Sequence, residues 1–150
     1  MKTFSTIIDF AEKQCQKKDK NLTKKRKTIL LALLESKKAI SAYELADYCK
    51  NHFNEVIPVM SIYRILDFLQ AQELAHRLDL ANKYVACAHI ACDHQHHQPS
   101  QFLICNQCQR VEEIKIDSSV LNRLQSLIHK AGFHLNNPQL EFKGTCKECT

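Results

Sequence analysis

Cys105-Asn106-Gln107-Cys108 is a Cys-x-x-Cys pair, and the pattern recurs at the end of the 150-residue chain as Cys146-Lys147-Glu148-Cys149. Two residues between the cysteines allow both sulfurs of a pair to turn toward one point. Two such pairs supply the four sulfur ligands of a closed, tetrahedral structural zinc site. Because 37 residues separate the pairs, a zinc ion bound by all four cysteines would make the segment from the first pair onward one metal-stabilised unit.

The chemistry of these cysteines depends on the cellular compartment. The N-terminal stretch Met1–Ser5 lacks the apolar run and the cleavage site of a signal peptide, and no apolar run reaches membrane-spanning length. We therefore expect a cytoplasmic protein whose eight cysteines are metal ligands or core residues rather than disulfides. Buried core thiols or a redox pair are the alternative interpretations of the two pairs, and the paired spacing favours zinc.

Positive charge is concentrated in the first forty residues. They contain 11 Lys or Arg and 4 Asp or Glu, whereas the net charge of the whole chain is only +5. Much of the charge lies in the run Lys17–Lys27, which includes Lys24 and Lys25. Such a run favours contact with phosphate groups, and its alternative interpretation is a solvated helix face.

Three amphipathic helices are predicted in the first half of the chain. Residues 22–35 place apolar side chains on one face and lysines on the other, with Thr23 as the N-cap. The stretch Ser41-Ala-Tyr-Glu44 is a capping box, in which serine and glutamate satisfy each other's free amides, and it predicts the start of the second helix. Pro58 suits the first turn of the third helix.

Two weakly alternating stretches, 74–80 and 83–87, follow the third helix and predict a short hairpin. Three helices and a hairpin form the winged-helix variant of helix-turn-helix, whose third helix lies in the DNA major groove. Arg64 could bind guanine or a phosphate there, and Tyr63 could contact a thymine methyl group or a phosphate. Plain packing of three amphipathic helices is the alternative interpretation.

The C-terminal segment is predicted to be a small α/β unit, which makes the fold class α+β. Strands at 102–105 and 111–116 surround the first cysteine pair. Asp117 or Ser118 can cap a helix that runs through Lys130 and is ended by Gly132. A last strand, 134–143, leads to the second cysteine pair. A unit this small has a thin core, so zinc could supply much of its folding free energy.

A second group of metal-binding side chains is predicted outside the paired cysteines. His76 and Cys87 lie on the two arms of the predicted hairpin, which brings them together. Histidines cluster at His94–His97, and the acidic pair Glu112-Glu113 follows the first cysteine pair. Nitrogen, sulfur and carboxylate ligands form a mixed tetrahedral zinc site, and metal there would fix the angle between the two halves. The alternatives are a structural wing histidine, a surface histidine tract and solvated acidic residues.

Motifs along nearly the whole chain are similar to those of one known family. They are Tyr43, Ser61–Leu69 with the sequence SIYRILDFL, Glu73–Arg77, Phe102–Cys108, Gly132-Phe133 and Gly144–Cys149. This combination resembles the ferric uptake regulator superfamily, which consists of dimeric, metal-dependent DNA-binding regulators. The resemblance implies a homodimer formed through the C-terminal domain, with double-stranded operator DNA as its partner. The residues that we expect to contact DNA are Tyr43, Ser61, Tyr63, Arg64, Lys24 and Lys25.

Within the superfamily, the second metal-binding group looks like that of the zinc uptake regulator branch. The resemblance implies a regulatory zinc whose ligands are His76, Cys87, Glu113 and one histidine of the cluster, His97 in preference to His96. Iron-sensing relatives carry a His-x-Asp/His-x-His run beside the first cysteine pair and a histidine before the helix-ending glycine. Pro99–Leu103 and Ala131 occupy those places here, and the soft ligand Cys87 also favours zinc.

The sequence therefore predicts a zinc-responsive repressor of zinc uptake genes, with zinc as corepressor, two zinc ions per chain, no membrane segment and no other small-molecule substrate. We expect a DNA-binding domain at 1–83, a hinge carrying regulatory ligands at 84–98 and a dimerisation domain at 99–150. One alternative is an iron- or peroxide-sensing member of the same superfamily. Another is a zinc-ribbon redox enzyme with Cys87 or Cys92 as nucleophile. No catalytic motif is present, so we expect no enzyme activity.

Overall fold

The computed structural model describes residues 3–91, 101–136 and 138–150. The chain forms two compact units, Met1–His94 and Gln95–Thr150. Helices and a hairpin make up the first unit, and a three-stranded sheet with one helix makes up the second. This architecture confirms the predicted α+β class.

The first unit begins with a helix that the sequence analysis did not predict. Helix α1 (Phe4–Lys17) starts after Thr3, whose hydroxyl accepts a hydrogen bond from the backbone N–H of Thr6 at 3.3 Å. Its inward face carries Ala11 and Cys15, both fully buried, one helical turn apart. The helix therefore completes the core of the unit.

The three predicted helices are confirmed, and the structure places them at α2 (Lys24–Glu35), α3 (Ala42–Phe53) and α4 (Val59–Ala71). The Thr23 hydroxyl accepts from the backbone N–H of Arg26 at 3.4 Å, as expected of an N-cap. Both hydrogen bonds of the Ser41 capping box are present. Pro58 is the N-cap residue of α4, where the missing N–H costs no intrahelical hydrogen bond.

The hairpin that follows consists of β1 (Ala75–Leu78) and β2 (Lys83–Ala86), paired antiparallel. Ile40 adds a bridge to this hairpin, because its backbone exchanges hydrogen bonds with Tyr84 at 2.8 and 3.0 Å. Helices and hairpin together confirm the winged-helix fold. Strand β2 belongs to this first unit.

The second unit contains three strands and a helix, at β3 (Gln101–Cys105), β4 (Val111–Ile114), α5 (Ser118–Lys130) and β5 (Leu140–Gly144). The strand order is β4-β3-β5, with β4 antiparallel and β5 parallel to β3. The last strand starts six residues later than predicted. Pro138, which has no N–H to donate, lies two residues before its first residue, Leu140. The side-chain oxygen of the buried Gln101 accepts a hydrogen bond from the backbone N–H of Leu140 at 2.7 Å.

Helix α5 ends as the sequence predicts but buries little. Gly132 has a positive φ of 85° and donates its N–H to the His129 carbonyl at 2.9 Å, which terminates the helix. Leu121 is its one buried residue, whereas Val120 and Leu127 are 52% and 64% exposed. The core of this unit is therefore thin. Across the described parts of the chain, the helices are too short and too polar to cross a membrane.

Candidate metal centres and nucleic-acid interface

The four paired cysteines meet at one end of the second unit. Strands β3 and β5 run in parallel, and Cys105 pairs with Gly144 in their register, so the sheet places the two cysteine pairs side by side. The backbone N–H of Asn106 donates to the Gly144 carbonyl at 2.8 Å, which continues this pairing into the first turn. All four sulfur atoms lie within 4.8 Å of one another.

This sulfur cluster fits a structural zinc ion. The Sγ atoms of Cys108 and Cys146 are 3.7 Å apart, and tetrahedral zinc with Zn–S bonds of about 2.3 Å sets its sulfurs about 3.8 Å apart. The backbone of each cysteine pair also forms a tight turn, which lets both sulfurs face the same point. The N–H of Gln109 donates to the Cys105 carbonyl, and that of Cys149 donates to the Cys146 carbonyl.

Backbone amides prepare this cluster for a cation. Hydrogen bonds from the backbone of Cys108 and Cys146 lower the pKa of the Cys105 thiol to about 6, and the Cys146 N–H lies 3.3 Å from that sulfur. Hydrogen bonds with the side chains of Cys146 and Cys108 raise the pKa of Cys149 to about 12. Four thiolates this close repel one another, and a bound cation removes that repulsion.

His76 and Cys87 form a second pair of metal-binding side chains, within the first unit. The β1–β2 register sets His76 opposite Val85, and the N–H of Cys87 donates to the Leu74 carbonyl at 2.9 Å. His76 and Cys87 are thus diagonal neighbours on one face of the hairpin. Their ligand atoms lie within 4.8 Å of each other, which is close enough to share a metal ion. His76 is half-buried and Cys87 is buried.

The other predicted regulatory ligands come from different parts of the chain. Glu113 lies on β4 of the second unit and is half-buried, whereas its neighbour Glu112 is exposed and forms an ion pair with Arg110 at 2.9 Å. His96 and His97, like His94 and Cys92, lie outside the described residues.

Two further cysteines belong to the core of the first unit. Cys15 and Cys49 are fully buried, and desolvation raises the pKa of both thiols, that of Cys49 to about 11. Buried, protonated thiols are poor nucleophiles. These two residues therefore have a packing role.

Helix α4 presents the predicted DNA-reading surface. Arg64 is exposed, while Ser61 and Tyr63 are half-buried at the flanks of the exposed face. Tyr43, at the start of α3, is 66% exposed. An aromatic ring that protrudes this far is available to a partner molecule.

The start of α2 is a cationic surface. Lys24 and Lys25 are exposed in its first turn, and that turn contains no acidic residue. Lysines near a helix N-terminus are unfavourable beside the positive end of the helix dipole, unless an anion binds there. The arrangement supports phosphate contact by this turn.

Comparison with known proteins agrees with the fold. A sequence model of the ferric uptake regulator family matches residues 17–143. The zinc uptake regulation protein of Escherichia coli (strain K12) is 33% identical over 147 residues, which cover 98% of this chain and 83% of that protein. The ferric uptake regulation protein of Synechococcus elongatus is 32% identical over 136 residues, covering 85% of this chain and 84% of that protein.

A solved structure of a zinc uptake regulator in complex with zinc and DNA is similar over 99% of this chain and 96% of its own, with 30% identity and a TM-score of 0.83. Family match and relatives both extend over most of the chain, so they include both units rather than one shared module. This chain belongs to the ferric uptake regulator family.

Proposed function

We propose that this protein is a zinc-responsive, DNA-binding repressor of zinc uptake genes, with zinc as corepressor. The observation that carries the proposal is the His76–Cys87 pair on the hairpin. Imidazole nitrogen with a thiolate suits zinc, whereas iron(II) and manganese sites favour harder ligands. The redox-enzyme alternative is set aside, because the family and the relatives are named for regulation and Cys87 is buried.

The paired cysteines hold one structural zinc in this proposal. Four sulfur ligands close the tetrahedron and leave no open position, which suits a permanent scaffold better than reversible sensing. The metal stabilises a unit whose helix buries a single leucine. Its free energy of binding is therefore also folding free energy for this unit.

A second zinc in each chain acts as the signal. Its proposed ligands are His76, Cys87, Glu113 and His97, with His96 as the alternative to His97. The hairpin pair supports two of these ligands directly, while Glu113 and the histidine of the cluster rest on the resemblance to zinc uptake regulators. Zinc acts as corepressor if it binds the DNA-competent conformation more tightly than other conformations, and DNA must then tighten zinc binding by the same factor.

The functional form is proposed to be a homodimer assembled through the second unit. The exposed apolar side chains of the second unit include Leu103, Val120, Leu124, Leu127, Phe133, Leu135 and Phe142. An apolar surface of this extent on a small unit favours burial against a second copy. A dimer carries two α4 helices, as two half-sites in successive major grooves require.

A mobility-shift titration tests the proposed function. The protein, with its structural zinc in place, is mixed with operator DNA while free zinc, ferrous or manganous ion is buffered over a range that includes nanomolar concentrations. We expect zinc to induce DNA binding at nanomolar free concentration. If ferrous or manganous ion induces binding and zinc at that concentration does not, the protein is an iron- or manganese-responsive regulator instead.

A further inference from the structure

The exposed face of helix α4 contains a DNA-reading residue beyond those already assigned. We infer that Met60 contacts the C5-methyl group of a thymine in the operator and so contributes to sequence preference. This inference rests on the proposed DNA-binding function, and it adds a specific base contact to it.

Helical geometry places Met60 on the surface that faces away from the protein. The residues of α4 that are buried in the core are Ile62, Ile65, Leu66 and Leu69. At 3.6 residues per turn, the opposite side of the helix is the stripe Met60, Arg64, Asp67 and Ala71. All four are exposed, so Met60 and Arg64 point the same way, one turn apart.

Met60 is more exposed than Ser61 and Tyr63, two of the residues already expected to contact DNA. It is 68% exposed, whereas Ser61 and Tyr63 are half-buried on the flanks of the stripe. Within α4, all of whose residues the structure describes, Met60 is the one large apolar side chain on this stripe. Single exposed apolar residues are common on protein surfaces, but here the residue lies in line with the arginine that is expected to enter the groove.

Position along the helix also favours a base contact. The N-terminal residues of a recognition helix reach the base edges first, and Met60 is the second residue of α4. It lies about 6 Å along the axis from Arg64, since each helical residue rises 1.5 Å. That distance corresponds to about two base-pair steps of roughly 3.4 Å.

The chemistry of the side chain selects the base. A thioether has no N–H or O–H to donate, so Met60 cannot make the bidentate contacts that identify guanine or adenine. In the major groove, thymine alone presents a methyl group. The unbranched, flexible and polarisable methionine side chain can adjust its conformation to pack against that methyl group. The predicted target is therefore a thymine about two base pairs from the base pair contacted by Arg64.

A double-mutant cycle between protein and DNA tests this contact. An operator is first selected from random duplexes with zinc-loaded wild-type protein, and each thymine is then replaced singly by uracil, which lacks only the methyl group. Uracil at the target position should weaken wild-type binding about four-fold, as expected for one buried methyl group. Met60→Ala should bind the thymine operator more weakly, and uracil at that position should then have no further effect.

Controls separate this inference from the proposed function. Met60→Leu keeps an apolar side chain of similar volume and should retain the sensitivity to uracil, whereas Met60→Gln should lose it. Zinc content and dimerisation should be unchanged in all three variants. If uracil at each position weakens DNA binding by Met60→Ala as much as it weakens binding by wild type, the inference is wrong while the proposed function stands. Failure of zinc-loaded wild type to select any sequence would overturn both.

Discussion

The Sγ atom of Cys108 lies 3.7 Å from that of Cys146, although 37 residues separate them in the sequence. Parallel pairing of β3 with β5 brings the two ends of this segment together. Closing a segment of this length costs conformational entropy, and a unit with so thin a core has few apolar contacts to offset that cost. A zinc ion bound by these sulfurs would therefore supply part of the folding free energy of the unit.

Cys146→Ser should remove the structural zinc and unfold the second unit. One ligand fewer opens the tetrahedron, and the remaining core is too small to hold the segment closed. We expect the loss of one zinc per chain by elemental analysis, of the dimer by sedimentation and of resistance to proteolysis within residues 101–150. Lys147→Ser is the matched control, because this exposed residue lies between Cys146 and Cys149. Its replacement should leave zinc content, dimerisation and protease resistance unchanged. A folded, dimeric Cys146→Ser protein would contradict the assignment.

Cys87→Ser should separate sensing from structure. Loss of the thiolate leaves His76 without its sulfur neighbour, and zinc prefers that ligand to a hydroxyl. We expect two zinc ions per chain to fall to about one, with DNA binding lost in a mobility-shift assay and the dimer retained.

Cys49→Ala is the control for Cys87→Ser. Cys49 belongs to the same core cluster as Cys87, but it is not grouped with other possible metal ligands among the described residues. The variant should therefore keep both zinc ions and respond to zinc like the wild type. If Cys87→Ser instead dissociates the dimer, the structural and regulatory sites have been exchanged.

Local patterns in the sequence predicted several elements and the proximity of side chains that could bind metal. The Ser41 capping box and the Gly132 helix end depend on neighbouring residues alone, and both are confirmed. The hairpin that aligns His76 with Cys87 was visible because strand alternation has a period of two. Cys-x-x-Cys spacing likewise brings the two sulfurs of each pair together locally, whereas the parallel pairing of β3 with β5 brings the two pairs to one place.

Features that depend on tertiary context were missed or displaced. Helix α1 has apolar residues at helical spacing. The many lysines in the same region were interpreted as a charged surface, so no helix packed against the core was predicted there. The predicted start of strand β5 lies too early in the sequence. The observed start is marked by the hydrogen bond from the Leu140 N–H to the Gln101 side chain, and Gln101 is 39 residues away in the sequence. Met60 was overlooked because the apolar character of a residue does not reveal which side of a helix it occupies until the buried side is known.

Arg64→Ala and Lys24→Ala should weaken DNA binding in different ways. Arg64 lies on the exposed stripe of α4, so its loss should cost about 1–3 kcal/mol and relax base preference at one position. Lys24 is exposed in the first turn of α2, where it is expected to contact phosphate, so its loss should weaken all sequences alike. Binding measured against salt concentration should show a slope reduced by about one unit for Lys24→Ala. Unchanged DNA affinity in the zinc-loaded Arg64→Ala protein would count against α4 as the recognition helix.

Leu127→Glu should weaken the dimer and, through it, the affinity for DNA. Leu127 is 64% exposed on α5, and a carboxylate at this position would have to be desolvated in each of the two protomers on association. We expect the dimer dissociation constant from sedimentation to rise at least about tenfold. Affinity for a two-half-site operator should fall with it, because each recognition unit then binds without the effective concentration that its linked partner provides. Leu80→Glu makes the same change at an exposed leucine of the first unit, and it should leave dimerisation intact. A Leu127→Glu protein as dimeric as the wild type would show that this face of α5 is not the interface.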